Sequence, residues 1–261
     1  MDIKILKLQK ITKDVKISTF NMLNQKGGGH YGGSFSCAEI LVNIFFSQMK
    51  PRDKFLLSKA HAGVIYYALL ANKKIISKKL LTTYGKEDSK LGVHGEHHLL
   101  KQIDFSCGSL GHGLSYAAGV ALSFLKTNKN KKIYVVIGDG ECQEGSIWEA
   151  ALFSSHHKLK NLVVILDYNK KQSSGKIKSI LNLDPIEKKW KSFGWKTLRI
   201  NGHSHIELEK AFKKTSKSLP TVIIADTIKG RGISFLEKKN DCHYDRLDYQ
   251  QQQSAYKELI K

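Results

Sequence analysis

Several features that would assign this chain to a familiar class are scarce or missing. It has only four cysteines, Cys37, Cys107, Cys142 and Cys242, and no two of them form a C-x-x-C pair. No stretch approaches the roughly eighteen uninterrupted apolar residues of a membrane-spanning helix, and lysines interrupt the N-terminal region where a secretory signal would be apolar. Scattered cysteines are typical of a reducing compartment. We therefore expect a cytoplasmic protein without a disulfide framework, a structural zinc site or a membrane span.

Arginine is also scarce, although the chain is strongly basic. Lysine and arginine together number 43 against 23 acidic residues, which gives a formal net charge of +20. Such a charge can indicate nucleic-acid binding, but only four of these residues are arginines, and surfaces that recognise bases favour the planar arginine fork. The lysines are spread over the whole chain. A solvated lysine-rich surface explains the charge better, and we expect no nucleic-acid partner.

Internal repeats and long low-complexity linkers are missing as well, so nothing marks a second domain. Apolar runs predict strands at 55–57, 133–137, 162–166, 195–200 and 221–225. Helices are predicted from a capping box at 36–39, from 61, after 113, at 187–193 and at 206–216, with a polar loop at 170–178. This alternation predicts an α/β fold with three α/β/α layers and a mainly parallel sheet. We expect residues 1–261 to form one domain, with the tail from Asp248 on its surface or serving as a docking arm.

The most informative motif is Gly138-Asp139-Gly140, which directly follows the apolar run 133–137. Its two glycines let the backbone approach a phosphate closely, but the aspartate would repel that phosphate unless a divalent cation lay between them. A dinucleotide fingerprint needs another glycine three residues after Gly140, whereas the next glycine is Gly145. The motif therefore predicts a diphosphate that Mg²⁺ or Ca²⁺ bridges to the protein.

Further metal ligands are predicted after the next apolar run, 162–166. Parallel strands joined by a crossover helix end at the same edge of a sheet, so Asp139 and Asn169 should lie side by side. The backbone carbonyl of Lys171 could add a third oxygen, and oxygen ligands suit Mg²⁺ and Ca²⁺. Gly-Asp-Gly alone is a common turn. Followed by a helix, a strand and Asn169, it is a more specific signal.

Together with this site, an ordered series of motifs resembles the transketolase family, specifically its N-terminal, diphosphate-binding domain. Each motif is modest by itself, but the ordered set is highly specific and spans nearly the whole chain. The matching segments are Gly29-His30-Tyr31-Gly32-Gly33, Ala38-Glu39-Ile40-Leu41, Ser58-x-x-His61, Gly108-Ser109-Leu110-Gly111, Gly138-Asp139-Gly140, Glu144-Gly145, Glu149-Ala150-Ala151, Asn169-Lys170, Phe193-Gly194-Trp195, Gly202-His203 and Asp241-x-His243.

The resemblance implies a thiamine diphosphate-binding fold, with thiamine diphosphate as the cofactor and Mg²⁺ or Ca²⁺ as its bridge. The cofactor and metal contacts that it implies are metal ligation by Asp139, Asn169 and the Lys171 carbonyl, diphosphate contacts from His61, Gly140 and His243, and backbone contacts with the aminopyrimidine ring from Gly108, Ser109 and Leu110.

The resemblance also implies catalytic roles for an acid and three histidines. Glu144 is similar to a buried acid that reaches across a subunit interface to the cofactor-activating glutamate. His30, His94 and His243 align with histidines that face substrate hydroxyls, where imidazoles can donate, accept and shuttle protons. We expect four other histidines, His97, His98, His156 and His157, to be surface or core residues. We expect His203 and His205, which precede a predicted helix, to be capping or surface residues.

Transketolases continue into a pyrimidine-binding domain, which carries that activating glutamate, and then into a C-terminal domain. The motifs match only the first domain. The resemblance therefore implies the N-terminal subunit of a split transketolase, which transfers a two-carbon ketol unit from a ketose donor to an aldose acceptor. We expect it to be active only with a C-terminal transketolase-like subunit, in an α2β2 assembly acting on sugars or sugar phosphates. The individual sugars stay open.

Two alternatives share part of the pattern. The α subunit of another thiamine diphosphate enzyme, such as a 2-oxo acid dehydrogenase, would have Gly-Asp-Gly and Asn but not the ordered set His30, His61, His94 and His243. A noncatalytic interaction module could retain the fold. Metal-dependent cofactor binding would distinguish such a module from an enzyme.

Overall fold

A five-stranded parallel sheet forms the centre of the molecule, in a computed structural model that describes residues 2–106, 108–127 and 130–261. The strand order is β1-β2-β3-β7-β6, and every neighbouring pair is parallel. The strands are β1 (Lys54–Leu57), β2 (Ile133–Gly138), β3 (Leu162–Tyr168), β6 (Lys196–Asn201) and β7 (Thr221–Asp226), and a separate hairpin contains β4 (Lys171–Gln172) and β5 (Gly175–Lys176).

Helices cover both faces of this sheet, which confirms the predicted three-layer α/β/α architecture. The helices are α1 (Ile3–Lys26), α2 (Tyr31–Ser36), α3 (Ala38–Asn43), α4 (Gly63–Asn72), α5 (Lys78–Leu81), α6 (His112–Lys126), α7 (Gly145–His156), α8 (Ile177–Ile180), α9 (Ile186–Ser192), α10 (His205–Lys213), α11 (Ser234–Lys238) and α12 (Tyr249–Ile260). One apolar core packs α1, α3, α4 and α10 against one face of the sheet, and a second packs α6, α7 and α9 against the other.

The central strands are apolar on both faces because both faces are covered. Along β2, Tyr134 and Val136 join the first core, whereas Val135 and Ile137 join the second. All residues of β2 and β3 are buried. A strand in this position has no polar face, and this explains why the sequence shows continuous apolar runs instead of alternation.

The longest helix, α1, was not among the predicted elements. It has 24 residues, begins at an Asp2 cap and ends at Gly27 in the left-handed conformation. Lysines occupy much of its exposed side, which dilutes the apolar pattern that would reveal a helix. The tail forms α12, which packs on α1 through Ala255 and Leu259. It is a docked helix with an Asp248 capping box.

Three local predictions were wrong, two of them because tertiary contacts engage the side chains concerned. Ser36 ends α2 and donates a hydrogen bond to Asp167 at 2.6 Å, so it does not form the predicted capping box. The loop at 170–178 contains the β4–β5 hairpin. His203 contacts Glu39 at 2.9 Å, and His205 is buried and hydrogen-bonded to Asn43 and Thr12.

Two expectations, that the chain has no membrane span and no disulfide framework, can be compared with the described residues. No helix among them is long and apolar enough to cross a membrane. Cys37, Cys142 and Cys242 are buried free thiols, and Cys107 lies outside the described residues.

Candidate functional site

A cavity of about 360 Å³ lies at the carboxyl ends of the central strands, and it brings most of the predicted site residues together. In a parallel sheet this edge is the usual ligand-binding position because the strand-to-helix loops converge there. The predicted residues lining the cavity are His30, His61, His94, Gly108, Leu110, Asp139, Gly140, Glu144, Asn169, Lys171 and His243. Ser109 lies exposed on the loop between two of them.

The predicted metal ligands lie at the ends of the neighbouring strands β2 and β3. Asp139 is buried, and among the described residues its carboxylate accepts hydrogen bonds only from the backbone N–H groups of Gly140 and Lys170. The amide oxygen of Asn169 accepts from the Lys171 N–H at 3.1 Å. Burial, with the nearby charge of Asp167, raises the pKa of Asp139 to about 7. A cation beside Asp139 would compensate this buried charge.

The chemistry of this donor set fits a hard divalent cation. One carboxylate, one amide and one backbone carbonyl are all oxygen donors, as Mg²⁺ and Ca²⁺ prefer. The described residues contain no cluster of three or more His, Cys, Asp or Glu side chains that could hold a metal. A metal that completes its coordination with diphosphate oxygens remains compatible with the site.

Four histidines form a cluster over this site. The ring centroids of His30 and His61 lie 5.9 Å apart, and that of His243 lies 5.0 Å from each of them. The His94 ring is 6.2 Å from His30, and its Nδ1 atom is buried without a hydrogen-bond partner among the described residues. An unpartnered polar atom at a cavity wall is suited to a ligand.

Burial and neighbouring cations keep three of these histidines uncharged. Burial, then His94, Lys26 and Lys229, lower the pKa of His30 to about 4. Burial and Lys229 do the same for His243, whose pKa is also about 4. The pKa of His61 lies well below its ordinary value, chiefly through burial. At neutral pH these rings can therefore act as hydrogen-bond donors or acceptors.

The position of His61 depends on the small size of a neighbouring residue. A Cβ atom at Gly33 would lie 2.6 Å from the His61 ring, so the absence of a side chain at that position gives the imidazole its space. The ring enters from the single helical turn Ala60–Ala62 that follows β1. The sequence correctly placed this histidine at a strand-to-helix junction.

Glu144 lies at the rim of the cavity. The resemblance implies an acid that is buried at a subunit interface, and in the single chain the Glu144 side chain is exposed. It precedes α7 and approaches the residue 108–111 loop, since a Cβ atom at Gly111 would lie 2.8 Å from Glu144 Cβ. The single chain therefore does not bury this acid.

Several charged residues at the site were missed by the sequence analysis. Lys59 and Asp167 form an ion pair whose side chains are 1% and 0% exposed. Asp167 also accepts hydrogen bonds from Ser36 and Thr227, and it lies 3.4 Å from the side-chain nitrogen of Asn169. Lys59 lies two residues before His61, and Asp167 lies two residues before Asn169. Their closeness to these motif residues in the sequence was the one signal that could have identified them.

Lys229 is a further missed cation. It is buried, and its ammonium donates to the carbonyls of Lys171 and Gln172 at 3.2 and 3.1 Å. It also lies 3.3 Å from Nδ1 of His243. The residue follows β7, which ends beside β3. Asn169 was predicted because residues that follow neighbouring parallel strands lie at the same edge of the sheet. The same argument would have identified Lys229 if the strand order had been known.

A larger groove lies elsewhere. It encloses about 620 Å³ at the amino-terminal ends of the strands and is lined by five lysines, Lys131, Lys132, Lys160, Lys213 and Lys217. None of the predicted site residues lines it. Its size therefore does not identify it as the functional site, because the convergent polar groups and shifted pKa values are at the opposite edge of the sheet.

These features define a protein of the α/β class whose strand ends present a polar, histidine-lined cavity suited to a diphosphate cofactor. The family described as transketolase, thiamine diphosphate binding domain, matches residues 8–259. The chain belongs to this family. The predicted family, the α/β fold and the transketolase-type class of transferase are thereby confirmed.

Individual relatives agree with this assignment. The chain is 37% identical to the 6-deoxy-6-sulfo-D-fructose transketolase subunit SqwG of Clostridium sp. (strain MSTE9), over 97% of this chain and 96% of that protein. It is 39% identical to an apulose-4-phosphate transketolase subunit of Actinobacillus succinogenes, over 91% and 90% of the two chains. These relatives favour a transketolase over the 2-oxo acid dehydrogenase alternative.

A solved structure gives the same fold within a longer chain. The transketolase of Campylobacter jejuni superimposes with a TM-score of 0.90 at 28% identity, over 100% of this chain and 43% of that one. The chain thus spans about two fifths of the length of that transketolase, whereas it spans nearly the whole length of the two named subunits.

Proposed function

We propose that this chain is the N-terminal, cofactor-binding subunit of a two-chain transketolase, which transfers a two-carbon ketol unit from a ketose donor to an aldose acceptor. The observation that carries the proposal is the convergence of Asp139, Asn169 and four histidines on one cavity, in a chain that matches two transketolase subunits over nearly their whole length. A cytoplasmic location is part of the same proposal.

Asp139, Asn169 and the Lys171 carbonyl would hold Mg²⁺ or Ca²⁺, while His61, Gly140 and His243 would contact the diphosphate of thiamine diphosphate. Gly140 suits this task because a Cβ atom there would lie 3.2 Å from Gln172 Cβ, so a larger residue would crowd the turn. The cofactor, when bound, supplies the carbon nucleophile that takes the ketol unit from the donor.

The histidines would handle the sugar. His30, His94 and His243 present neutral or unpartnered ring nitrogens toward the cavity, so they can donate to a carbonyl or accept from a hydroxyl. Lys229 and Lys59 place positive charge beneath the same cavity, which favours negative charge there. We propose that His30 and His94 orient substrate hydroxyls.

A second polypeptide with a pyrimidine-binding domain would cover the cavity and complete the site. Glu144 and Leu110 are exposed at its rim, where such a subunit would bury them. We propose an α2β2 assembly, because a cofactor held between two different chains requires both, and paired copies are the commonest symmetric arrangement. Sugars or sugar phosphates are the proposed substrates.

Calorimetric titration of thiamine diphosphate, first with Mg²⁺ and then with a chelator, tests the cofactor site. We expect binding that disappears with the chelator and that Asp139→Asn weakens at least about hundredfold, because even residues behind the ligands of a metal commonly contribute ten- to hundredfold. Asp226→Asn is the matched control, since Asp226 also ends a strand of the sheet, β7, but pairs with Arg199 and Lys170 and does not line the cavity. The same affinity for thiamine diphosphate with Mg²⁺ and with the chelator would contradict the proposal. An equal loss of affinity in both variants would contradict it as well.

Measurement of turnover tests whether the active site is divided between two chains. The isolated chain should not transfer a ketol unit, whereas the chain mixed with a C-terminal transketolase-like subunit should do so, as measured by aldose consumption with ketose donors. Turnover by the purified single chain would refute the need for a partner. The calorimetric titration stays informative in either case because it concerns cofactor binding only.

A further inference from the structure

One buried carboxylate near the candidate site is not used by the proposed mechanism. Glu141 is 1% exposed and lies in the single helical turn Gly140–Gln143 that follows β2. Its Oε1 atom accepts hydrogen bonds from the Ser58 hydroxyl and, at 2.9 Å, from the Gly111 N–H. Its Oε2 atom accepts from the Gly138 N–H at 3.0 Å. Within the described residues Glu141 forms no ion pair.

The three donors belong to three different segments of the candidate cofactor site. Ser58 lies between β1 and the turn that presents His61, and Gly111 ends the loop that contains Gly108, Ser109 and Leu110. Gly138 directly precedes Asp139. A single carboxylate thus bonds to all three segments at once. The carboxylate therefore links the segments that carry the proposed diphosphate, metal and aminopyrimidine contacts.

The packing around these segments leaves little room for another arrangement. Gly111 has φ of +88°, a conformation that favours glycine. A Cβ atom at Gly113 would lie 2.2 Å from the Ser58 hydroxyl, so the start of α6 is in direct contact with the end of β1. The loop thus meets close neighbours on this side. Two side chains bond to its backbone: the Glu141 carboxylate accepts from the Gly111 N–H, and the Ser146 hydroxyl donates to the Gly111 carbonyl at 3.1 Å.

We propose that Glu141 is a positioning residue that sets the residue 108–111 loop at a fixed distance from the Asp139 turn and the His61 turn. The distance between the 108–111 loop and these two turns would thereby match the distance between the aminopyrimidine ring and the diphosphate of thiamine diphosphate. The inference rests on the proposed function for its ligand. The positioning itself is a property of the free chain and can be measured without any cofactor.

Glu141→Gln tests the role with almost no change in shape. A glutamine has one acceptor oxygen and one donor NH2 group, so it cannot accept on both sides. Either the Gly111 N–H or the Gly138 N–H must then face another donor, which leaves a buried N–H without its partner. Glu39→Gln is the matched control. Glu39 is also buried and accepts from Lys16 and His203 at 2.7 and 2.9 Å, but it does not line the cavity.

Amide hydrogen exchange of the ligand-free full chain is the first readout. In Glu141→Gln we expect exchange about tenfold faster in peptides covering 108–113 and 136–140, because local opening loses a hydrogen bond to a charged acceptor. In Glu39→Gln the same peptides should exchange at the wild-type rate. Unchanged exchange in Glu141→Gln, or an equal increase in both variants, would overturn the proposal. If Glu141→Gln does not fold, Ser58→Ala removes one donor and should give the same pattern at smaller amplitude.

Calorimetry provides a readout that loss of stability alone would not change. Magnesium pyrophosphate probes the Asp139 turn, whereas magnesium thiamine diphosphate also requires the residue 108–111 loop. We expect Glu141→Gln to weaken thiamine diphosphate about tenfold more than pyrophosphate. Equal weakening of the two ligands would overturn the loop-positioning role. If the wild-type chain binds neither ligand, the proposed function fails, and the exchange experiment still decides whether Glu141 positions the loop.

Discussion

Replacing Lys59 with methionine is the sharpest test of how the site is held together. Lys59 and Asp167 are an ion pair with almost no solvent exposure, at 1% and 0% of the side-chain surface. Methionine retains most of the volume of the lysine stem but has no charge. The substitution therefore leaves a buried carboxylate without its cation while opening little empty space.

The expected loss of stability follows from this geometry. Removing one partner of a buried pair typically destabilises a protein by about 3–5 kcal/mol, since the remaining charge is neither solvated nor paired. Lys59 also donates to the Gly33 carbonyl at 2.8 Å, so that acceptor loses a hydrogen bond as well. A domain's whole free energy of unfolding is about 5–15 kcal/mol. We expect a fall in melting temperature of about 10 °C, at about 3 °C per kcal/mol.

The pH dependence carries a second, independent signature. In the wild type, burial raises the pKa of Asp167, but the Lys59 charge and three hydrogen bonds outweigh burial and hold it below its ordinary value. Asp167 thus stabilises the fold above its unfolded pKa, and that contribution is lost as the pH falls through its folded pKa. Without Lys59, burial dominates and the carboxyl takes up a proton more readily. The stability difference between variant and wild type should therefore narrow as the pH is lowered from about 7.5 to about 5.

Urea unfolding at both pH values measures these differences, with two controls. Lys4→Met removes the exposed pair between Lys4 and Glu209, in which Lys4 is 49% exposed, and should change stability by less than about 1 kcal/mol. The double variant Lys59→Met/Asp167→Asn removes both charges and should recover most of the loss. A Lys59→Met variant within about 1 kcal/mol of wild type at the higher pH, or a difference independent of pH, would refute the reasoning.

Two further predictions concern the loops that present the histidines. Gly32→Ala should destabilise the fold by about 1–3 kcal/mol and weaken cofactor binding, because its Cβ atom would lie 2.1 Å from the Cys242 carbonyl, next to His243. Gly119→Ala, with nothing within 4 Å of its Cβ atom, should instead stabilise α6 slightly; equal effects of the two changes in thermal unfolding would contradict this. The histidine pKa values of about 4 predict acid sensitivity: unfolded histidines bind protons near pH 6.5, so stability should be full above that pH and decline toward pH 4. Replacing His30 and His243 with glutamine should flatten this decline in urea titrations, and an unchanged slope would show that other groups cause it.

The sequence predicted most of the candidate site because its residues stand in short local motifs. Asp139 and Asn169 each follow a continuous apolar run, and such runs identify buried parallel strands whose carboxyl ends share one edge of the sheet. The strand-to-helix position of His61 was predicted for the same reason. The histidines came from ordered motifs that resemble a family, and the cavity brings His30, His94 and His243 within reach of each other.

The residues that were missed act through contacts between distant parts of the chain. Lys59 and Asp167 are 108 residues apart, and nothing in the sequence pairs a particular lysine with a particular aspartate. Glu141 was overlooked inside a motif that was interpreted through its neighbours. The predicted capping box failed for a related reason: Ser36 and Glu39 have the right spacing, but Asp167 and Lys16 engage them.

The sequence by itself determined the layer architecture, the strand ends that form the site and the chemistry of the predicted ligands, because periodicity and short motifs are local properties of the chain. Only the tertiary structure decided which buried charges pair, which histidines become uncharged and how the loops are tied together. Those properties depend on burial and on distances across the sheet. Glu144 is an example: its motif predicted an acid at a subunit interface, and the tertiary structure places its side chain at the exposed rim of the cavity.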